Sequence, residues 1–175
     1  MLFKINMAKR AYSPREILKM TYKPIPWDGE WERCFGQPDM YDTWFISGPS
    51  AGGKSSFVMQ LAKKLCEYGV VLYCSYEEKV SMSFKERIER FHMEEEQGRF
   101  RVCVDSDIDN LKRMLKQRKG PKFIIVDSFQ LSHWEYARVE ALVDEFPRKS
   151  FIFISQEAKS QPLGKPAVRL KIMAG

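Results

Sequence analysis

The sequence predicts an α/β protein built as three layers, a mostly parallel central sheet flanked by helices. Three observations carry that prediction. From Asp42 onward, short hydrophobic runs alternate with helical patterns, which implies parallel βαβ units. The runs Val70-Val71-Leu72-Tyr73 and Phe123-Ile124-Ile125-Val126 are apolar without a break, as strands covered on both faces are. The segment Thr43-Trp44-Phe45-Ile46-Ser47 feeds directly into a Gly/Ser loop that opens a helix.

That loop reads Gly48-Pro49-Ser50-Ala51-Gly52-Gly53-Lys54-Ser55 and fits the phosphate-binding pattern G-x-x-x-x-G-K-[ST] at every fixed position. Its context agrees: an aromatic, β-branched strand precedes it and a helix follows. Glycines let the backbone turn tightly and aim N–H groups at phosphate oxygens. Lys54 is expected to reach the β- and γ-phosphates and Ser55 to hold Mg²⁺, with Ser56 next in the cradle. The positive end of the following helix dipole points at the same anion. The implied ligands are ATP and Mg²⁺.

The elements follow in order. Residues 1–42 read as a lead-in; Ser13 caps and Pro14 opens a short helix running to about Met20. Residues 23–29 are a proline-fixed extended segment. Its aromatics Tyr22, Trp27 and Trp31 are expected to pack on the following domain, or to stack on adenine. The core is expected to span 43–175, with strands near 43–47, 70–75, 100–104, 122–127 and 150–155. Helices are expected near 54–67, 80–92, 107–118 and 134–146. The first has apolar residues at 57, 58, 61, 62 and 65, a helical spacing, and Gly69 is expected to stop it in the C′ position. A final strand is read over Val168 to Met173, with the domain either minimal or lacking a C-terminal part.

Two of these strands end in carboxylates. Asp127 closes Phe123-Ile124-Ile125-Val126-Asp127, at the strand edge where open α/β sheets bind ligands. There it can hold Mg²⁺, in the manner of a Walker B aspartate. The strand ending in Ser75-Tyr76 delivers Glu77 and Glu78. Glu77, the first acid off the strand, could orient and deprotonate an attacking water. The plainer reading is that both glutamates open the next helix, where acids favour the positive end.

Composition bounds the rest. The chain has 175 residues, 44% hydrophobic and 30% charged, which fits one globular domain. No apolar run approaches the roughly 18 residues that span a membrane, and residues 1–10 do not form a signal peptide, so a cytoplasmic location is expected. Cys34, Cys66, Cys74 and Cys103 form no C-x-x-C pair, so zinc is not indicated and all four are read as reduced. The net charge of +6 permits nucleic-acid binding without requiring it. The basic run Lys112 to Lys122 is read as a solvated helix face.

Taken together, these segments resemble the RecA-like ATPases, in particular the branch of bacterial RadA and the DnaB-type helicases. Val71-Leu72-Tyr73-Cys74-Ser75-Tyr76-Glu77-Glu78 is similar to RadA's strand-end segment L-Y-V-S-G-E-E, and Ile125-Val126-Asp127-Ser128-Phe129-Gln130 to its I-D-S-I-Q. Ser155-Gln156 is similar to the S-Q ending a DnaB strand, and the helix from Phe84 to Arg90 parallels one in RadA. The resemblance covers about residues 43–160. It implies Glu77 as the catalytic base, Asp127 as the Walker B acid, and Gln156 as a γ-phosphate sensor. It places a DNA-contacting loop at 157–169, with Lys159, Lys165 and Arg169; the alternative there is an ordinary surface loop. It makes Arg169 and Lys171 candidate fingers for a neighbouring subunit's site. The chain shows no counterpart of RadA's zinc module or of DnaB's helical domain, so a stand-alone ATPase core is expected.

The function expected is ATP hydrolysis in DNA replication, repair or recombination, by a homo-oligomer that binds single-stranded DNA. Two other classes stay open. One is a P-loop small-molecule kinase, against which stands the lack of an arginine-rich lid: residues 128–150 hold only Arg138 and Arg148. The other is a non-hydrolysing, ATP-binding regulator or loader.

Overall fold

The structure is a computed structural model and describes residues 11–158 and 161–174. The chain divides into two compact units, one ending at Asp39 and one beginning at Met40.

In the first unit, helix α1 spans Pro14–Ile17 and helix α2 spans Gly29–Phe35. The expected Ser13 cap is present as a reciprocal capping box with Glu16, but the helix stops three residues short of the expected end at Met20. Helix α2 was not expected. Its sequence carries Gly29 at the first position, which weakens the helical signal. It forms because Trp27, Trp31 and Phe35 pack together, Trp27 stacked on Trp31 and Phe35 tilted against both, with ring centroids 5.5–6.0 Å apart. The Trp27 indole N–H donates to the Gly36 carbonyl at 2.5 Å.

The second unit is the three-layer core. Strand β1 is Thr43–Gly48, β2 Val71–Ser75, β3 Phe100–Cys103, β4 Phe123–Asp127, β5 Ser150–Ala158 and β6 Gln161–Pro162. Helix α3 is Lys54–Cys66, α4 Met82–Arg90, α5 Ile108–Leu115, α6 Tyr136–Glu145 and α7 Lys165–Met173. The order across the sheet is β1-β5-β4-β2-β3, all parallel, and the short β6 pairs antiparallel with the end of β5. Strands β2, β4 and the first six residues of β5 are buried almost throughout, which is why they read as unbroken apolar runs. Helix α3 buries Val58, Met59, Leu61, Ala62, Leu65 and Cys66 along one stripe.

Two expectations fail. The segment Val168 to Met173 is part of helix α7, not a strand. Pro166 favours a helix start, and Ala167 and Leu170, three apart, are the buried pair, so helical packing overrides the period-2 look of Val-Arg-Leu-Lys-Ile. Gly69 is not a left-handed C′ residue. A Cβ there would lie 3.0 Å from Lys122 Cδ and 3.4 Å from the Phe123 ring, so glycine serves close approach instead. The basic run behaves as a helix face: Lys112 and Lys116 both pair with Glu145 at 2.8 Å.

Candidate nucleotide site

The sheet's parallel order brings several chain segments to one rim. Register pairs Gly48 of β1 with Gln156 of β5, and Ser75 of β2 with Asp127 of β4. The phosphate-loop strand and the Asp127 strand are therefore not neighbours; β5, carrying Gln156, lies between them. At this C-terminal rim lies a cavity of about 200 Å³. Ser50, Ala51, Lys54 and Ser55 of the loop and helix start line it, together with Glu77, Glu78, Asp127 and Gln156 from the ends of the strands.

The loop from Gly48 to Gly53 takes a cradle shape by local geometry. Ala51 has φ 58° and Gly53 has φ 78°, both left-handed, and the Gly52 N–H donates to the Pro49 carbonyl at 3.2 Å. A Cβ on Gly52 would sit 3.0 Å from that carbonyl. Helix α3 starts at Lys54 without a side-chain cap and without an acid in its first turn, which includes Ser55 and Ser56. Its N-terminal N–H groups are thus left for an anion. Lys54 Nζ folds back onto the Gly48 carbonyl at 2.8 Å and the Pro49 carbonyl at 2.6 Å.

The acids divide by partner. Glu78 is ion-paired to Arg87 of α4 at 2.7 Å, both side chains being largely shielded. Glu77 instead accepts a hydrogen bond from the Gln156 side-chain amide at 2.8 Å. Neither glutamate lies in α4, which Ser81 caps through the Phe84 N–H. Asp127 accepts from the Tyr73 hydroxyl at 2.5 Å through Oδ2. Burial, opposed by the Tyr73 hydrogen bond and reinforced by Glu77, holds the Asp127 carboxyl above its ordinary range. Burial, with the Asp127 charge beside it, likewise pushes the Tyr73 phenol up. Tyr73 was hidden in the sequence as one more strand aromatic.

The residues present fit a magnesium nucleotide. Among the described residues no cluster of three or more His, Cys, Asp or Glu could hold a metal alone. Mg²⁺ needs less: one or two protein oxygens, waters and phosphate oxygens complete its shell. Ser55 and Asp127 are such oxygens, both lining the cavity, and Asp127 is a half-buried carboxyl group whose charged form a cation would favour.

The other candidates lie elsewhere. Lys165, Arg169 and Lys171 are on α7 and do not line the cavity; the Arg169 guanidinium sits over the Tyr136 ring, 5.9 Å from its centroid. Lys159 lies outside the described residues. No helix among the described residues is long and apolar enough to cross a membrane.

No protein-family model matches the chain, and no curated protein matches it. Solved structures do. The flagellar accessory protein FlaH from Methanocaldococcus jannaschii aligns with a TM-score of 0.64 at 15% identity, covering 89% of this chain and 78% of that one. A KaiC-like protein from Pyrococcus horikoshii aligns with a TM-score of 0.60 at 17% identity, covering 80% and 70%. The specific likeness to RadA and DnaB is not among these findings. The parallel sheet, its flanking helices, the glycine-rich loop at its rim and these structural neighbours together identify the chain's fold as the RecA-like P-loop fold.

Proposed function

We propose that this chain binds ATP with Mg²⁺ and hydrolyses it, as an ATPase of the RadA and DnaB kind acting in DNA replication, repair or recombination. The observation that supports this reading is the meeting of Lys54, Ser55, Glu77, Asp127 and Gln156 around one cavity. On this reading, Lys54 leaves the Gly48 and Pro49 carbonyls to meet the triphosphate, and the loop N–H groups hold its oxygens. Ser55 and Asp127 hold Mg²⁺, which when bound neutralises charge on the phosphates. Glu77 takes the proton of a water whose oxygen bonds to the γ-phosphorus while the bond to the β-phosphate oxygen breaks, giving ADP and phosphate. Gln156 aligns the Glu77 carboxylate. Lys165, Arg169 and Lys171 are proposed contacts to single-stranded DNA or to a second copy's site; Arg169 would first leave Tyr136.

The test is nucleotide binding by calorimetry together with phosphate release. Lys54→Ala is expected to abolish ATP binding. Glu77→Gln is expected to keep binding and slow turnover by roughly 10²- to 10⁴-fold, the usual worth of a general base. Full turnover in Glu77→Gln would remove that residue from the mechanism. Turnover only with an added hydroxyl acceptor would replace hydrolysis with kinase chemistry.

A further inference from the structure

The turn that follows β4, a 3₁₀ segment over Phe129–Ser132, reaches across to the strand that carries Gln156. Phe129 is buried and packs edge-on against Phe153 of β5, centroids 5.5 Å apart. Ser132 Oγ closes the turn on the Phe129 carbonyl at 2.7 Å. The next side chain, Gln130, makes the larger set of contacts. Its amide Nε2 donates to Ser155 Oγ, to the Gln156 carbonyl at 3.4 Å and to the Leu163 carbonyl at 3.3 Å. Its Oε1 accepts from the Gln156 N–H at 3.4 Å. The Leu163 N–H in turn donates to the Gln156 carbonyl at 3.0 Å. Only an amide both donates and accepts in this way; a carboxylate of the same shape only accepts.

We propose that Gln130 is a positioning residue: it clamps the backbone of Gln156 and, through the Gln156 amide, sets the Glu77 carboxylate for the reaction. The chain of contacts is continuous, from Gln130 to the Gln156 main chain and from the Gln156 side chain to Glu77 at 2.8 Å. Gln130 itself is not among the residues lining the cavity, so it acts on the reaction through its neighbours. The same clamp fixes Leu163, where the chain returns from the β5–β6 hairpin. This inference rests on the hydrolytic reading of the site.

The decisive variant is Gln130→Glu, which keeps the shape and removes the donor. Steady-state phosphate release is expected to fall about 10- to 100-fold in kcat, the cost of a misplaced reacting group, with KM for ATP unchanged within about twofold. In a Gln156→Ala background the same change is expected to slow the protein no further, because the two act in series. Unaltered kcat, a loss carried in KM, or effects that multiply in the double variant would overturn the clamp. Amide exchange at Gln156 and Leu163 is read in parallel and needs no turnover: it is expected to quicken in Gln130→Glu, and unchanged exchange overturns the proposal. Should the unaltered chain bind ATP without releasing phosphate, the hydrolytic reading fails, and with it Gln130's part in setting Glu77; the exchange data would then decide only whether Gln130 holds the backbone.

Discussion

At the scale of single residues, the pairing of Tyr73 with Asp127 is the most consequential contact. The phenol donates to one carboxylate oxygen, and on the proposed function the other would meet a cation's water shell. Outer partners of this kind fix the orientation of a metal's ligand, and losing one typically costs about 10- to 100-fold in metal affinity. Tyr73→Phe is therefore expected to raise the Mg²⁺ concentration that half-supports ATP binding by about that factor, measured by calorimetric ATP titrations over a Mg²⁺ series. An unshifted Mg²⁺ requirement would leave Tyr73 with a packing role only. The sequence shows Asp127 because a carboxylate ending an apolar strand is conspicuous. It hides Tyr73, because aromatics are common in strands. Only the register reveals the pair: Tyr73 faces Ile125, and Asp127 stands two residues farther along on the same face. Likewise, the sequence favours Glu77 over Glu78 only by its place as first acid off the strand and by resemblance; the Glu78–Arg87 ion pair and the Gln156–Glu77 hydrogen bond separate the two in space.

At the scale of elements, the legible ones are those with a strong period. Helix α3 declared itself by its apolar spacing and ends within one residue of the expected position. Its hold on the sheet is ordinary core packing. Leu61→Ala, at a fully buried site, is expected to cost about 2–5 kcal/mol in chemical denaturation, a range set by how far the cavity collapses. A cost under about 1 kcal/mol would mean that α3 is not anchored there. The illegible elements were α7 and α2. Helix α7 is as long as α4 but hid behind the alternating look of Val168 to Ile172, and α2 is held by a cluster of three aromatic rings that no spacing rule encodes. The β5–β6 hairpin, likewise, was read only as a loop.

At the scale of the whole molecule, the site is bought with stability. Burial disfavours the charged form of Asp127 in the folded chain, so ionisation weakens the fold as pH rises through that group's folded-state range. Asp127→Asn is expected to melt higher than the unaltered protein at neutral pH without nucleotide. In a chain of this size roughly 1 kcal/mol corresponds to about 2–4 °C. The same variant is expected to lose Mg²⁺-dependent ATP binding, and a lower melting temperature would show that Tyr73's hydrogen bond outweighs burial. The alternation that announced the parallel sheet could not announce its order, since strand order depends on crossovers that leave no local mark. That order has a mechanical side. Strand β5 is gripped on both flanks, by β1 and β4, and then leaves the main sheet to form an antiparallel ribbon with β6. Gln156 sits at the exit point. A tug on the ribbon from outside would arrive first at Gln156, which donates to Glu77; on the proposed function, surface and chemistry would share one axle.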